Sequence, residues 1–123
     1  MKRIEMKLKD FCMRYPISET VCIEDKDTKQ LIETEIYSRS MLHESFDKDS
    51  VISFNELTMK EETAYYDKVE KKEAKNNIFE MLDVEINGKK CYDDSDILDN
   101  LSRKEFTELT SALNNFLLGK VVM

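Results

Sequence analysis

The stretch Leu101-Ser102-Arg103-Lys104-Glu105-Phe106, continuing to Phe116-Leu117-Leu118-Gly119-Lys120, spells out a helix with its start, stop and buried face. Ser102 is placed to accept a hydrogen bond from the first unpaired amides, and Glu105, three residues on, to reach back to the Ser102 amide. Phe106, Leu109, Leu113, Phe116 and Leu117 recur at helical spacing on one side, while Glu105, Glu108, Ser111 and Asn115 fall mostly elsewhere. Gly119 stands where a left-handed C-terminal cap is expected, with Lys120 after it. At about 1.5–3 kcal/mol for each large apolar side chain, burying these five is worth roughly 8–15 kcal/mol gross. A helix so patterned needs a surface to dock on, and the rest of the chain must supply it.

Immediately upstream, Asp83-Val84-Glu85-Ile86-Asn87-Gly88-Lys89-Lys90-Cys91-Tyr92 holds the sharpest turn signal. Asn-Gly is the favoured two-residue hairpin turn, because both of its central positions need positive φ. That register pairs Ile86 with Lys89, Glu85 with Lys90 and Val84 with Cys91, so opposite charges meet on one face and apolar groups gather on the other. A lone hairpin is marginal in water, so its apolar side is expected to lean on neighbouring helices. Further back, Thr58 and Glu61 form a second capping-box pattern, opening a charged helix to about Ala74 whose apolar positions are sparse: Met59, Tyr65, Tyr66 and Val69. Asp67 and Lys71, four residues apart, support an exposed helix. Ile78, Phe79, Met81 and Leu82 form a separate apolar patch after Asn76-Asn77.

The first half is read differently. Ile4, Met6 and Leu8 alternate as in a strand, while Ile4, Leu8, Phe11, Cys12 and Tyr15 trace a helical face; the scarcity of β-branched residues favours a helix over about Lys7–Arg14, ended by Pro16. Thr20–Glu24 and Gln30–Tyr37 are β-prone runs on either side of Asp25-Lys26-Asp27-Thr28-Lys29, a hairpin pattern. Val21 and Ile23 share a face of the first run; Ile32 and Ile36 bracket Thr34 on a face of the second. A polar loop with a helical turn near Met41–Phe46 leads to Val51-Ile52-Ser53-Phe54, a short strand expected to close a small sheet.

With 123 residues, 41% hydrophobic and 37% charged, the chain suits one core with a polar surface. Two glycines and one proline argue against a many-turned β-sandwich and against a flexible linker. The net charge of −7 argues against a nucleic-acid partner, because phosphate contacts need a basic stripe, and leaves a basic or nucleic-acid-binding protein as a partner class. From residue 55 onward ten basic side chains meet fifteen acidic ones, a net −5, and a composition shift near Phe54 divides residues 1–54, a helix with a small sheet, from residues 55–123, a mainly helical part with the Asn-Gly hairpin. Charges in the opening residues interrupt any signal peptide, and no run approaches the ~20 apolar residues of a membrane span, so a cytoplasmic location is expected. Cys12, Cys22 and Cys91, odd in number and without a Cys-x-x-Cys pair, read as small apolar residues in a reducing compartment.

Chemistry-bearing groups are sparse. Asp94, Asp96 and Glu105 occupy the first, third and twelfth places of an EF-hand-like loop, but Leu98 sits where an oxygen ligand is wanted and Asp99 where glycine makes the turn. Acidic residues there also complement the positive end of the following helix. His43 is the sole histidine and has only Glu44 and Asp47 beside it. Paired carboxylates such as Glu61-Glu62 are expected by chance among 26 acidic residues. These readings assign no catalytic residue, no metal site and no cofactor. Tyr65 and Tyr66, adjacent on a helix, cannot both face one core: either one is exposed and available to a partner, or both graze the core edge with their tips in water.

In the second half, Phe54-Asn55-Glu56-Leu57-Thr58 followed by acidic residues, then Ile97-Leu98-Asp99-Asn100-Leu101-Ser102-Arg103-Lys104-Glu105-Phe106 and a terminal Phe116-Leu117-Leu118-Gly119, resembles the small tail assembly chaperones of bacteriophages over about residues 54–119. In that family a helical domain keeps the tape-measure protein soluble while tail-tube subunits polymerise around it. The Asn87-Gly88 hairpin and the first 53 residues lie outside that helical pattern. The first half is loosely similar to small phage-associated proteins with a short helix, a hairpin around an Asp-x-Asp-Thr turn and a closing strand.

The expectation is an α+β fold, a small antiparallel sheet with hairpins packed against two or three helices. The resemblance implies a non-enzymatic phage or prophage morphogenesis protein, most specifically a tail assembly chaperone bound to a tape-measure or other tail protein. The alternatives are an acidic phage inhibitor of a host nuclease or defence complex, and a component of the tail or baseplate in the virion. Tyr65, Tyr66, Phe116 and Leu117 are the expected protein-binding residues, because one thin core has limited room for them.

Overall fold

A computed structural model describes residues 1–93 and 95–119; Asp94 and Lys120, which figured in the calcium-loop and helix-stop readings, lie outside the described residues. The fold is α+β, with two antiparallel sheets and five helices among the described residues.

Both periodicities of the N-terminus are used, one after the other. Lys2–Lys7 form strand β1, with Ile4 and Met6 turned inward, and Leu8–Arg14 form helix α1, which buries Leu8, Phe11 and Cys12. β4, Val51–Glu56, pairs with β1 in the register Ile4↔Phe54 and Met6↔Ile52. The hairpin strands β2, Ile17–Glu24, and β3, Leu31–Ser38, lie between them in sequence but, among the described residues, pair only with each other. The expectation that Val51–Phe54 closes a sheet with that hairpin is therefore corrected: its partners are β1 on one side and the Asn-Gly hairpin on the other. Alternation explains the choice. Ile52 and Phe54 are both fully buried, a central-strand pattern, whereas β2 and β3 bury no residue fully.

β5, Glu85–Ile86, and β6, Lys89–Lys90, complete the sheet in the order β1-β4-β5-β6. Asn87 and Gly88 sit at φ 53° and 76°, as the turn requires, and the expected pairs Glu85↔Lys90 and Ile86↔Lys89 form. Asn87 does more than turn: its side-chain oxygen accepts from the Val51 amide at 2.9 Å and its nitrogen donates to Ser50 Oγ at 3.2 Å, locking the hairpin onto β4. Arg3 ties the first three strands from their outer face, donating to Ser53 Oγ, the Asp83 carbonyl and Glu85 Oε2 at 3.0, 2.7 and 2.6 Å.

The helices α2, Met59–Glu70, α3, Ile78–Met81, α4, Asp96–Asp99, and α5, Arg103–Leu117, follow their sequence signals. Thr58 with Glu61 and Ser102 with Glu105 both make complete capping boxes. α2 ends at Glu70 rather than near Ala74, and none of its residues is fully buried. α5 buries Leu109 and Leu113 as expected, whereas Phe106 is 40% exposed and rests against Phe79 with ring centroids 5.6 Å apart. Gly119 adopts φ 71° after the last turn. One cluster joins Phe11, Ile52, Phe54, Leu82, Ile86, Leu109 and Leu113, so residues 1–54 and 55–123 contribute to a common core, and the β4–β5 pairing crosses between them.

Candidate functional site

Among the described residues, the large apolar side chains left in solvent are concentrated on the β2–β3 hairpin. Its register places Ile17, Val21 and Ile23 on the same face as Ile32 and Ile36, with Ile23 directly opposite Ile32. Ile23, Ile32 and Ile36 are each about half exposed, and Leu31 on the other face is 74% exposed. That other face carries Glu24, Glu33 and Glu35 with Tyr37, whose hydroxyl donates to Glu35 Oε2 at 2.6 Å. Two strands with an uncovered isoleucine face bury too little apolar area to stand alone.

What holds the hairpin is its base. Ser111 Oγ on α5 accepts from the Ser18 amide at 2.8 Å, and Asn115 Nδ2 donates to the Pro16 carbonyl at 2.7 Å. Asn115 is 1% exposed, so the side of the helix away from the apolar stripe is also engaged. The polar edge of α5 is a socket for the start of β2. At the far end, the Asp25 carboxylate accepts from the amides of Asp27 and Thr28 at 2.8 and 3.3 Å, and Lys29 takes φ 58°, so the tip is shaped by its own turn chemistry.

The four residues expected to bind a partner do not gather in one place. Tyr65, Tyr66 and Leu117 line a cleft of about 100 Å³ together with Asn76, Asn77, Ile78, Met81 and Asn114. The two tyrosine rings meet edge to face at 6.2 Å, with Tyr66 46% exposed. Tyr65 is only partly exposed; its hydroxyl donates to the Lys75 carbonyl, and burial followed by the nearby Glu80 pushes its pKa up. Phe116 turns the other way. Its ring packs edge-on against Phe54 at 4.7 Å and Tyr15 at 5.3 Å, making it part of the core's aromatic cluster, with an edge on a separate groove beside β1.

The groups weighed for chemistry are dispersed or engaged. Cys12 and Cys91 are buried; burial raises the Cys12 thiol pKa, and pushes that of Cys91 up to about 12. Cys22, unlike the other two, is exposed, on the hairpin's acidic face. Glu105 caps α5, and hydrogen bonds first from Ser45 and then from Ser102 lower its carboxyl pKa. His43 Nδ1, in the 3-10 turn Leu42–Ser45, is buried and has no hydrogen-bond partner among the described residues. Among the described residues, no three His, Cys, Asp or Glu side chains are grouped to hold a metal ion. None of the described helices is long and apolar enough to cross a membrane.

No protein-family model matches the chain, and neither a curated protein nor a solved structure matches it. The hairpin surface was partly visible in the sequence. Ile23 and Leu31-Ile32 stand directly beside the polar turn, where a hairpin buried on one face would more often expose polar groups. Their position on a projecting arm depends on β4 pairing elsewhere, which no local pattern in residues 17–38 records.

Proposed function

We propose that this protein acts without bond chemistry, by holding another protein, and that it serves phage or prophage morphogenesis as a tail assembly chaperone. The observation that carries the reading is the β2–β3 hairpin, which offers Ile23, Leu31, Ile32 and Ile36 to solvent while its base is pinned to α5. Ile23, Ile32 and Ile36 share one face, and clustered exposed apolar side chains of this kind commonly mark a protein contact. The sequence resemblance over residues 54–119 supplies the specific role. The cleft of Tyr65, Tyr66 and Leu117 is a second contact surface in this reading, with tyrosine suited to an interface because its ring is apolar and its tip polar.

Co-expression with the tape-measure protein encoded in the same genome tests the proposal. The tape-measure protein should stay soluble and co-purify with this chain. Its aggregation at the same rate with and without the chain would overturn the role. The acidic-inhibitor reading is favoured by one observation, the six carboxylates within residues 17–38, and is separated by salt. An inhibitor seated in a basic groove loses its partner in high salt, whereas a complex held mainly by isoleucine contacts persists.

A further inference from the structure

We propose that the outer edge of β3, from Leu31 to Thr34, takes an extended strand from a different, basic protein in which apolar and cationic residues alternate. The inference rests on the protein-binding reading above and specifies the partner's chemistry. Ladder geometry fixes what the edge presents. The Asp25 amide bonds the Gln30 carbonyl across the turn, while the Ser18 amide points away from β3 to Ser111. Inward and outward amides therefore alternate, and those of Leu31 and Glu33 face outward. Among the described residues no group pairs with either amide. β3 has neither proline nor lysine between Leu31 and Ser38, and the charges it does carry, Glu33 and Glu35, repel a like strand but not a cationic one.

Side chains on this edge alternate in kind. Leu31 and Glu33 project from one face and Ile32 and Thr34 from the other. An added strand would set its neighbouring side chains against them, apolar beside Ile32 and cationic beside Glu33. Charge selects who the partner is. Residues 17–38 contain six carboxylates and two lysines, a net −4, so a basic chain is attracted. A second copy is disfavoured by the same charges. Antiparallel self-pairing centred on Glu33 sets that carboxylate against itself, and centring on Thr34 sets Glu33 against Glu35.

The probe is a synthetic peptide of alternating valine and lysine, matched to the eight residues of β3, titrated into the isotopically labelled full chain. An alternating valine–glutamate peptide is the control. Shifts and slowed exchange should centre on the Leu31 and Glu33 amides with the lysine peptide only. Glu33→Gln should weaken binding about two- to fivefold, the scale of one exposed ion pair. Glu33→Pro removes an outward amide but no inner ladder bond, so protection at Val21 and Thr34 should persist while the peptide binds about tenfold more weakly or not at all. Equal binding of both peptides, a footprint at Tyr65 and Tyr66, self-association of the hairpin, or unchanged binding by Glu33→Gln would each overturn the proposal. The two readings fail separately. A tape-measure protein retained equally by wild type and Glu33→Pro sinks the edge and leaves the chaperone role standing. A wild-type chain that takes the peptide on β3 but ignores the tape-measure protein does the reverse.

Discussion

Replacing Asn115 with alanine should loosen the whole hairpin arm, although the substitution lies on a different element. Asn115 is 1% exposed and its Nδ2 donates to the Pro16 carbonyl at 2.7 Å, a polar tie between α5 and the start of β2 beside those that Ser111 makes to Ser18. Truncation removes the donor and leaves a buried carbonyl without it, a loss of about 1–3 kcal/mol. For a domain of this size that lowers the melting midpoint by roughly 4–12 °C. Thermal melts give the total, and amide hydrogen exchange locates it: the inner ladder amides of Val21 and Thr34 should exchange faster in the variant, while those of β4 keep their order of protection. Ser111→Ala removes the ties to Ser18 and should cost less, because the Ser18 amide is only partly buried and can find water. A melting shift below about 2 °C for Asn115→Ala, with unchanged exchange in the hairpin, would show that the arm is not anchored through α5.

Four further outcomes follow from the geometry. Phe54→Ala empties the centre of a cluster in which Phe54 contacts the rings of Phe11 and Phe116, and should destabilise the fold by about 3–5 kcal/mol in urea unfolding. Thiol labelling of the native protein should be fast at exposed Cys22 and should reach buried Cys12 and Cys91 only as the protein unfolds. Gly88→Ala, which forces a side chain onto φ 76° at the Asn-Gly turn, should lower stability by about 1 kcal/mol and raise exchange at Cys91, whose amide bonds the Val84 carbonyl. The pH dependence of α5 has a definite sign. The Glu105 carboxyl pKa is lowered by Ser45 and Ser102, so its stabilising contribution is present above the ordinary value of 4.5 and is lost as pH falls through the lowered one. Glu105→Gln should therefore flatten part of the acid limb of a stability-against-pH curve.

How much of this was readable in the sequence follows from how local each signal is. The Ser102–Glu105 and Thr58–Glu61 caps, and the Asn87-Gly88 turn with its register, are complete within a few residues, and they form as read. The Asp25–Lys29 turn and the strands flanking it were legible for the same reason. Strand pairing was not, because β1 and β4 are separated by more than forty residues and nothing local tells Val51–Phe54 which edge to choose. α1 was visible, but β1 ahead of it was masked because Ile4 and Leu8 satisfy both periodicities. Asn115 shows the limit most clearly. A polar residue beside an apolar stripe reads as solvent-facing unless the carbonyl it bonds, ninety-nine positions away, is known. Phe116 illustrates the complement: an apolar residue suspected of excess finds Tyr15 and Phe54, both from the first half of the chain.

The reading of this protein as a holder of another protein turns on the isoleucine face of β2 and β3. Its decisive test is co-purification of the tape-measure protein with an Ile32→Asp, Ile36→Asp double variant beside the wild type. Both side chains are about half exposed, so the variant should melt close to the wild type and keep its circular dichroism. Wild type should carry the tape-measure protein through purification and the variant should lose it. Undiminished recovery with a folded variant would contradict the claim that this hairpin is where the partner is held.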